Sequence, residues 1–311
     1  MKILVTGGAG FIASHIVDAY INAGHNVSVV DNLSTGFEKN VNPKAKFFKI
    51  DIRSEELQSV FAEFRPDIVN HHAAQMDVRK SVADPSFDAQ INILGGINLL
   101  ECCKEYDVKK FIFASTGGAI YGEQDYFPAD EQHPQRPLSP YGIAKLTTEK
   151  YLFYYNQVFG LNYTALRYAN VYGPRQSTMG EAGVVAIFAS KLLKGEQPII
   201  NGDGMQTRDY VFVEDVVQAN LLVLNDSAST EYNIGTGIET NVNELFNTIK
   251  KICNSNAEEK HGEAKAGEQK RSVLTSKKIS EKLGWKQTVK VEEGLNRTVE
   301  YFKQLKMKSE K

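Results

Sequence analysis

The chain opens on a short apolar run, residues 2–6, that feeds directly into Gly7-Gly8-Ala9-Gly10-Phe11-Ile12-Ala13. No other feature constrains the fold as much. Glycines at such a turn permit a tight strand-to-helix connection and let backbone amides approach a pyrophosphate, whose charge is favoured at a helix N-terminus. Ala13 stands where a third glycine is usual, and it is still small enough for close helix–strand packing. The rhythm then continues. Apolar runs at 26–30, 45–50, 67–70 and 110–114 alternate with helical patterns from residue 11, at 54–64 and at 87–106. This pattern predicts an α/β protein on a doubly wound parallel sheet, the Rossmann arrangement.

Ser139 as N-cap and Pro140 at the first helical position announce another helix, and a strand-like run at 162–167 follows. Beyond Asn170 the regularity breaks. Turns are marked by Tyr172-Gly-Pro174 and Asn201-Gly-Asp-Gly204, while the run 210–213 and a capped helix from Glu214 read as a βα pair rejoining the sheet. A chain of 311 residues is longer than single cores usually grow, so two lobes sharing one cleft are expected. The dinucleotide-binding domain is read as 1–169 plus about 207–230. A smaller, interleaved C-terminal α/β substrate-binding domain takes about 170–206 plus 231–311. The polar stretch 254–271 reads as a loop over the ligand, and residue 283 onward as a terminal helix with a charged tail.

With 38 acidic and 36 basic residues, the chain offers no electrostatic reason to bind nucleic acid or an anionic membrane. Its ligand must be recognised locally. Three cysteines do not make a disulfide framework and fit a reducing compartment. The apolar opening is too short for a signal peptide, and no run approaches the ~20 apolar residues of a membrane span. A cytoplasmic protein is the expectation.

Asp31 ends the second strand about 20 residues after the glycine turn, where a carboxylate accepts from the adenosine ribose hydroxyls and repels a 2′-phosphate. That favours NAD over NADP. The plain alternative is that Asp31 only caps the turn Asp31-Asn-Leu-Ser. Phe11 and Ile12 of the turn, Asn32 beside Asp31, and Asp51 with Ile52 after the third strand complete the expected cofactor wall.

Farther along, Ser139-Pro-Tyr-Gly-Ile-Ala-Lys145 places Tyr141 and Lys145 one helical turn apart on one face. A free tyrosine, with a pKa near 10, is a poor base at neutral pH; an ammonium and the positive helix end both favour its phenolate. Upstream, Phe111-Ile-Phe-Ala-Ser-Thr116 is a buried strand ending in hydroxyls at the edge where parallel sheets present ligands. Standing alone, Ser115 and Thr116 would be read as a turn cap before Gly117-Gly118; with Tyr141 and Lys145 downstream, Thr116 is read as orienting a substrate proton. His71 and His72 are consecutive in a strand and point to opposite faces, so they cannot chelate one metal together, and no metal site is expected.

Five motifs then carry a resemblance over nearly the whole chain: Thr6-Gly-Gly-Ala-Gly-Phe-Ile12, Ser115-Thr-Gly-Gly-Ala-Ile-Tyr-Gly122, Tyr141-Gly-Ile-Ala-Lys145, Arg167-Tyr-Ala-Asn-Val-Tyr-Gly-Pro174 and Arg208-Asp-Tyr-Val211. The sequence resembles the extended short-chain dehydrogenase/reductases and, among them, the UDP-glucose 4-epimerases. The resemblance implies that Tyr141 is the base, Lys145 its tuning partner and cofactor ribose ligand, and Thr116 the assisting hydroxyl. It further implies that Asn92 supports the lysine region, that Ala73, Ala74 and Gln75 line the cofactor, and that Tyr168 approaches the nicotinamide. Asn170 and Arg208 would hold a UDP-sugar, with Arg208 on its diphosphate. The implied reaction is oxidation at C4 of the hexose, rotation of the keto intermediate and hydride return to its other face.

Related dehydratases and decarboxylases usually place an acid just after the hydroxyl residue. Here Thr116 is followed by Gly117-Gly118-Ala119, which leaves reversible oxidation. The family's Arg-x-Gly-Asp near the C-terminus is replaced by Lys265-Ala-Gly-Glu268, which keeps a charge but loses the guanidinium fork, so Arg271 is a candidate substitute on the nucleotide. Ser272 falls where relatives carry a residue that limits the C2 substituent, and its small side chain points to N-acetylhexosamines as well. A uronate 4-epimerase, another sugar-nucleotide oxidoreductase and a non-catalytic NAD-binding protein are the rival readings. Tyr151, Tyr154, Tyr155 and Phe159 are either core or a face that pairs with helix 91–100; the resemblance implies a homodimer through a four-helix bundle.

Overall fold

The structure, a computed structural model, describes residues 1–178, 183–264 and 269–309. In chain order the strands are β1 (Lys2–Thr6), β2 (Asn26–Val30), β3 (Lys46–Phe48), β4 (Ile68–His71), β5 (Lys110–Thr116), β6 (Asn162–Tyr168), β7 (Asn170–Tyr172), β8 (Ile200–Asn201), β9 (Thr207–Phe212), β10 (Thr230–Ile234), β11 (Glu239–Asn241), β12 (His261–Gly262) and β13 (Arg271–Ser272). Seven of them form a parallel sheet in the order β3-β2-β1-β4-β5-β6-β10. The order reverses direction between β1 and β4, which is where an open α/β sheet opens its ligand crevice. Register brings the strand ends into line: Thr6 lies opposite Val30 and His71, and Tyr168 opposite Thr116 and Ile234.

The five inner strands, β2, β1, β4, β5 and β6, are buried on both faces, which is why they read as largely apolar runs rather than alternating ones. On one face Ile16, Val17 and Tyr20 of helix Phe11–Asn22 pack with Val216 and Ala219 of helix Val213–Leu222. On the other, Phe61, Leu99, Leu100 and Leu152 come from helices Leu57–Phe64, Gly95–Glu105 and Pro140–Phe159. Cys102 and Cys103 are buried free thiols in that layer. A second core holds Phe188, Leu192, Phe212, Phe246, Leu295 and Val299 around a sheet in which β9 pairs with β7, β11 and β13.

One expectation fails here. The run at 210–213 does not rejoin the large sheet; β9 is the hub of the small one, and only the helix after it returns to the large sheet. The free edge of β6 is filled instead by β10, paired from Thr230 opposite Thr164 to Ile234 opposite Tyr168. An apolar run followed by a helix has the same local pattern in either sheet, so the choice is made by tertiary pairing. The large sheet therefore runs through residues 231–234, which the sequence pattern assigns to the second lobe.

Candidate active site

Gly7 shows why the first turn needs glycine. Its φ is +72°, and a Cβ there would lie 2.7 Å from the backbone nitrogen of Ala73. Gly8 has no more room, since a Cβ would meet Val29 at 2.7 Å. Two strand ends are thereby brought together under a helix whose N-cap, Gly10, offers no side chain to the first-turn amides. Those amides are donors at the positive end of the helix, the kind of terminus that suits an anion, and Phe11 and Ile12 begin the helix.

Asp31 is buried beside this turn and accepts from Ala9 N at 3.0 Å and from Leu33 N at 2.8 Å. It therefore caps its own turn and also buttresses the glycine loop. Burial raises its carboxyl above the ordinary range, against the pull of those two amides. Asp51 pairs with Arg53 at 2.8 Å and accepts from Asn32 Nδ2 at 2.9 Å; Arg53 draws its pKa down to about 2. Ile52 is buried against the helix at Gly95. Ala73 N donates to Thr6 Oγ1 at 3.2 Å, and Ala74 follows it into the loop that leads to Gln75.

The helix carrying Tyr141 and Lys145 is capped as its sequence indicates: Ser139 Oγ accepts from Gly142 N at 3.1 Å, and the helix ends on Gly160 at φ +73°. Lys145 Nζ donates to Ala114 O at 2.9 Å, 5.8 Å from the Tyr141 ring centroid and 4.7 Å from that of Phe113. Burial lowers its pKa to about 8 against the opposing charges of Asp88 and Glu149. Tyr141 moves the other way: burial, reinforced by Asp88, raises its hydroxyl above the ordinary value. Desolvation and the Asp88 charge thus oppose the phenolate that the sequence pattern favours.

Asn92 sits on a π-turn, Gln90–Leu94, inside the long helical stretch, a distortion that often marks functional positions. It exchanges amide bonds with Gln75: Gln75 N donates to Asn92 Oδ1 and Asn92 Nδ2 to Gln75 O, each at 2.9 Å. Both side chains also donate to Asp88 Oδ1 at 3.0 Å. Thr148, on the helix of Lys145, donates to the Asn92 carbonyl at 3.2 Å, so Asn92 reaches the lysine region through the helix.

A second group of polar side chains gathers around Gly118. A Cβ there would lie 3.8 Å from both Thr116 Oγ1 and Asn170 Oδ1 and 4.0 Å from Ser272 Oγ. Three polar groups from β5, β7 and β13 thus converge on one point. Tyr168, at the end of β6, is buried with its hydroxyl between Asn220 and His72. Arg208 lies on β9 across from Ser272 and Thr240 and donates to Thr207 O at 2.8 Å. Arg271 is drawn outward into a fork with Glu239, at 2.6 and 3.0 Å, with its guanidinium 3.7 Å over the Phe127 ring centroid. Lys265 and Glu268 lie outside the described residues.

A profile of the NAD dependent epimerase/dehydratase family matches residues 3–235, from β1 through β10. The chain belongs to that family. The fold is also that of solved family structures. The UDP-glucose 4-epimerase of Thermotoga maritima, solved with UDP-glucose, is 51% identical with a TM-score of 0.97, over 98% of this chain and 99% of its own. That of Thermus thermophilus, in complex with NAD, is 45% identical with a TM-score of 0.93, over 97% of this chain and 99% of its own. A UDP-N-acetylglucosamine 4-epimerase from Methanobrevibacter ruminantium, solved with UDP-N-acetylmuramic acid, is 36% identical with a TM-score of 0.93, over 98% of each chain.

Within and beside the family motifs lies a buried polar network that sequence reasoning passed over. Arg167 and Glu149 form a bidentate pair, 2.7 Å at its closest, with both side chains only 2% exposed. Ser115 donates to the same carboxylate at 2.5 Å, and Tyr121 bridges Arg167 to Asn233. One signal was available: Glu149 follows Lys145 by one turn, and Asp88 precedes Asn92 by one turn, so each shares a face with a residue already singled out. Among the described residues no cluster suited to a metal ion is found, and His71 is instead bonded to Thr6 at 2.7 Å and stacked on Phe113.

Proposed function

We propose that this chain is an NAD-dependent 4-epimerase of UDP-hexoses, interconverting UDP-glucose and UDP-galactose. The observation that carries the reading is the convergence of Thr116, Asn170 and Ser272 on one point at the switch-point edge of the sheet, the same edge that carries Tyr141 and Lys145. The residues fit NAD: Gly7 and Gly8, with no room for a Cβ, hold the turn tight at the N-terminus of the first helix, where its amides can meet a pyrophosphate, and Asp31 is an acid placed to accept from ribose hydroxyls. Phe11, Ile12, Asn32, Asp51, Ile52, Ala73, Ala74 and Gln75 line the cofactor, and Asn92 holds Gln75 in place. When bound, NAD supplies a hydride acceptor that is restored at each turnover.

The chain's own groups handle the proton. Tyr141 removes it from the C4 hydroxyl and returns it after the sugar turns, with Thr116 orienting that hydroxyl. Lys145 holds the cofactor ribose and lowers the cost of the phenolate, and the cofactor's positive charge offsets the desolvation that raises Tyr141 in the free protein. Asn170 and Arg208 hold the UDP-sugar, with Arg208 on the diphosphate; Lys265 and Glu268 complete the nucleotide site. Arg271 is committed to Glu239 and Phe127, so its part is to fasten the mouth of the cleft or to exchange that pair for the nucleotide.

Ser272 favours a second substrate. It is small, buried and within reach of the Thr116–Asn170 point, which leaves room for the acetamido group of UDP-N-acetylglucosamine. Assembly is proposed as a cytoplasmic homodimer. Tyr154, Phe159, Phe153 and Val158 are 45–57% exposed along one helix, and Leu94 on the neighbouring helix is 57% exposed. Tyr155, by contrast, turns inward to Glu101. Unpaired cysteines accord with the cytoplasm, and among the described residues no helix is long and apolar enough to cross a membrane.

The test is to incubate the purified protein with UDP-glucose, UDP-N-acetylglucosamine or UDP-glucuronate and to separate the 4-epimers by chromatography. Conversion of UDP-glucose supports the reading. No conversion of any of the three after NAD is added would move the assignment to a sugar carried on another nucleotide or to the non-catalytic reading.

A further inference from the structure

Three buried polar side chains, Asn70, Asn220 and Tyr168, and the half-buried His72 form one hydrogen-bond chain outside the tyrosine–lysine pair. Asn70 Nδ2 donates to Asn220 Oδ1 at 2.9 Å. Asn220 Nδ2 donates both to Val216 O and to the Tyr168 hydroxyl, each at 2.9 Å. A carbonyl can only accept, so the bond to Val216 fixes which end of the Asn220 amide is nitrogen. The Tyr168 oxygen is therefore already an acceptor. Its own proton is then available to the remaining partner, His72 Nε2 at 3.2 Å; with that assignment Nε2 accepts and the imidazole proton sits on Nδ1, which has no hydrogen-bond partner of its own among the described residues. Burial and the nearby Lys145 charge hold His72 neutral, with its pKa drawn down to about 3, so one ring nitrogen remains an acceptor through the physiological range.

The same two side chains also stack, with ring centroids 6.0 Å apart and planes 28° from parallel. Tyr168 is thus held at its hydroxyl from both sides and along its ring from one. His72 itself is placed by the first turn of the fold: it follows β4, and its carbonyl carbon lies 2.9 Å from where a Gly7 Cβ would stand. The chain therefore runs from the floor of the sheet to the switch point.

We propose that His72 is a positioning residue for the reaction: by accepting the Tyr168 hydroxyl proton, it fixes the ring that faces the nicotinamide end of the cleft. The proposal rests on the reading above that Tyr168 lies at the nicotinamide. An apolar side chain at 72 leaves a buried phenol with no acceptor, and the ring is then free to seek one elsewhere. A glutamine restores an acceptor without restoring the aromatic stack.

The test uses the holoenzyme and compares His72→Leu, His72→Gln, Tyr168→Phe and the His72→Leu/Tyr168→Phe pair. It records kcat, KM for UDP-glucose and the fluorescence of bound NADH that builds up during turnover. His72→Leu is expected to lower kcat about tenfold, as a modest misplacement of reacting groups does, and to shift the NADH emission with KM nearly unchanged. His72→Gln should recover most of both readouts. In the double variant the losses should not add, because Tyr168→Phe has already removed the proton that His72 accepts. The proposal is overturned if His72→Leu matches the parent, if His72→Gln is as impaired as His72→Leu, or if the two single losses add in the pair. Turnover that survives Tyr141→Phe would instead remove the underlying site reading, a result the His72 variants cannot produce.

Discussion

The large sheet and the small one hold the two halves of the same cleft, yet they are built on different terms. In the large sheet each position of the candidate site follows a strand of its own: Gly7 after β1, Asp31 after β2, the His72 support after β4, Thr116 and Tyr168 at the ends of β5 and β6. In the small sheet, Asn170, Arg208 and Ser272 sit on strands of two to six residues whose neighbours are far away in sequence. The first half is specified locally and the second by assembly. A single buried carboxylate shows how the assembly is held: Asp209 accepts from Thr236 N and Oγ1, Gly237 N and Leu274 N, tying β9 to the segments beside it. Burial raises that carboxyl above its ordinary range, so the joint depends on those donors.

The largest expected effect lies in the locally specified half. Replacing Tyr141 with Phe removes the proton-transfer group and should lower kcat about 10²- to 10⁴-fold while NAD remains bound, as read by steady-state turnover and the NAD content of the purified variant. Turnover within about threefold of the parent would break the assignment. Next is the pair behind the site. Arg167→Met leaves Glu149 buried without its partner and should cost about 3–5 kcal/mol of stability in chemical denaturation, whereas an exposed pair such as Lys277–Glu281 should cost under about 1 kcal/mol. Similar losses at the two sites would mean that Arg167 is not buried as described.

In the assembled half, Ser272→Tyr should abolish conversion of UDP-N-acetylglucosamine and spare that of UDP-glucose, since the added ring fills space beside Gly118. Equal loss on both substrates would show that Ser272 does not set the C2 preference. The smallest effect concerns pH. Lys145 has a folded pKa of about 8, below its ordinary value, so the unfolded chain binds its proton more tightly. The resulting penalty is complete below the folded pKa and is relieved as pH rises toward the unfolded value, adding up to about 1.4 kcal/mol of stability per pH unit in that window. Comparing urea denaturation of the parent and Lys145→Met on either side of the folded pKa isolates this contribution. An unchanged difference between the two proteins would contradict it.

How much was legible in the sequence follows the same division. The glycine turn, the capped helix of Tyr141 and Lys145 and six of the seven strands of the large sheet announce themselves, because each is a periodic run bounded by residues with a local mechanism. The seventh strand was not legible: Thr230–Ile234 mixes polar and apolar residues, and its place is set by the edge of β6. The destination of β9 was lost for the same reason. Arg271 read as a free cation for a nucleotide, and only the fold reveals Glu239 opposite it. Sequence spacing placed Tyr141 beside Lys145 but carried no measure of burial, so it could not anticipate that desolvation dominates the tyrosine in the free protein.

The central claim is that Tyr141 moves only the hydroxyl proton while the C4 hydrogen leaves and returns as a hydride within one closed site. Incubating UDP-glucose deuterated at C4 with the purified protein in ordinary water tests this directly, with the product read by mass spectrometry and proton NMR. The account predicts UDP-galactose that retains deuterium at C4. Product carrying solvent hydrogen at C4 would contradict it, since the carbon would then have exchanged a proton rather than passed a hydride.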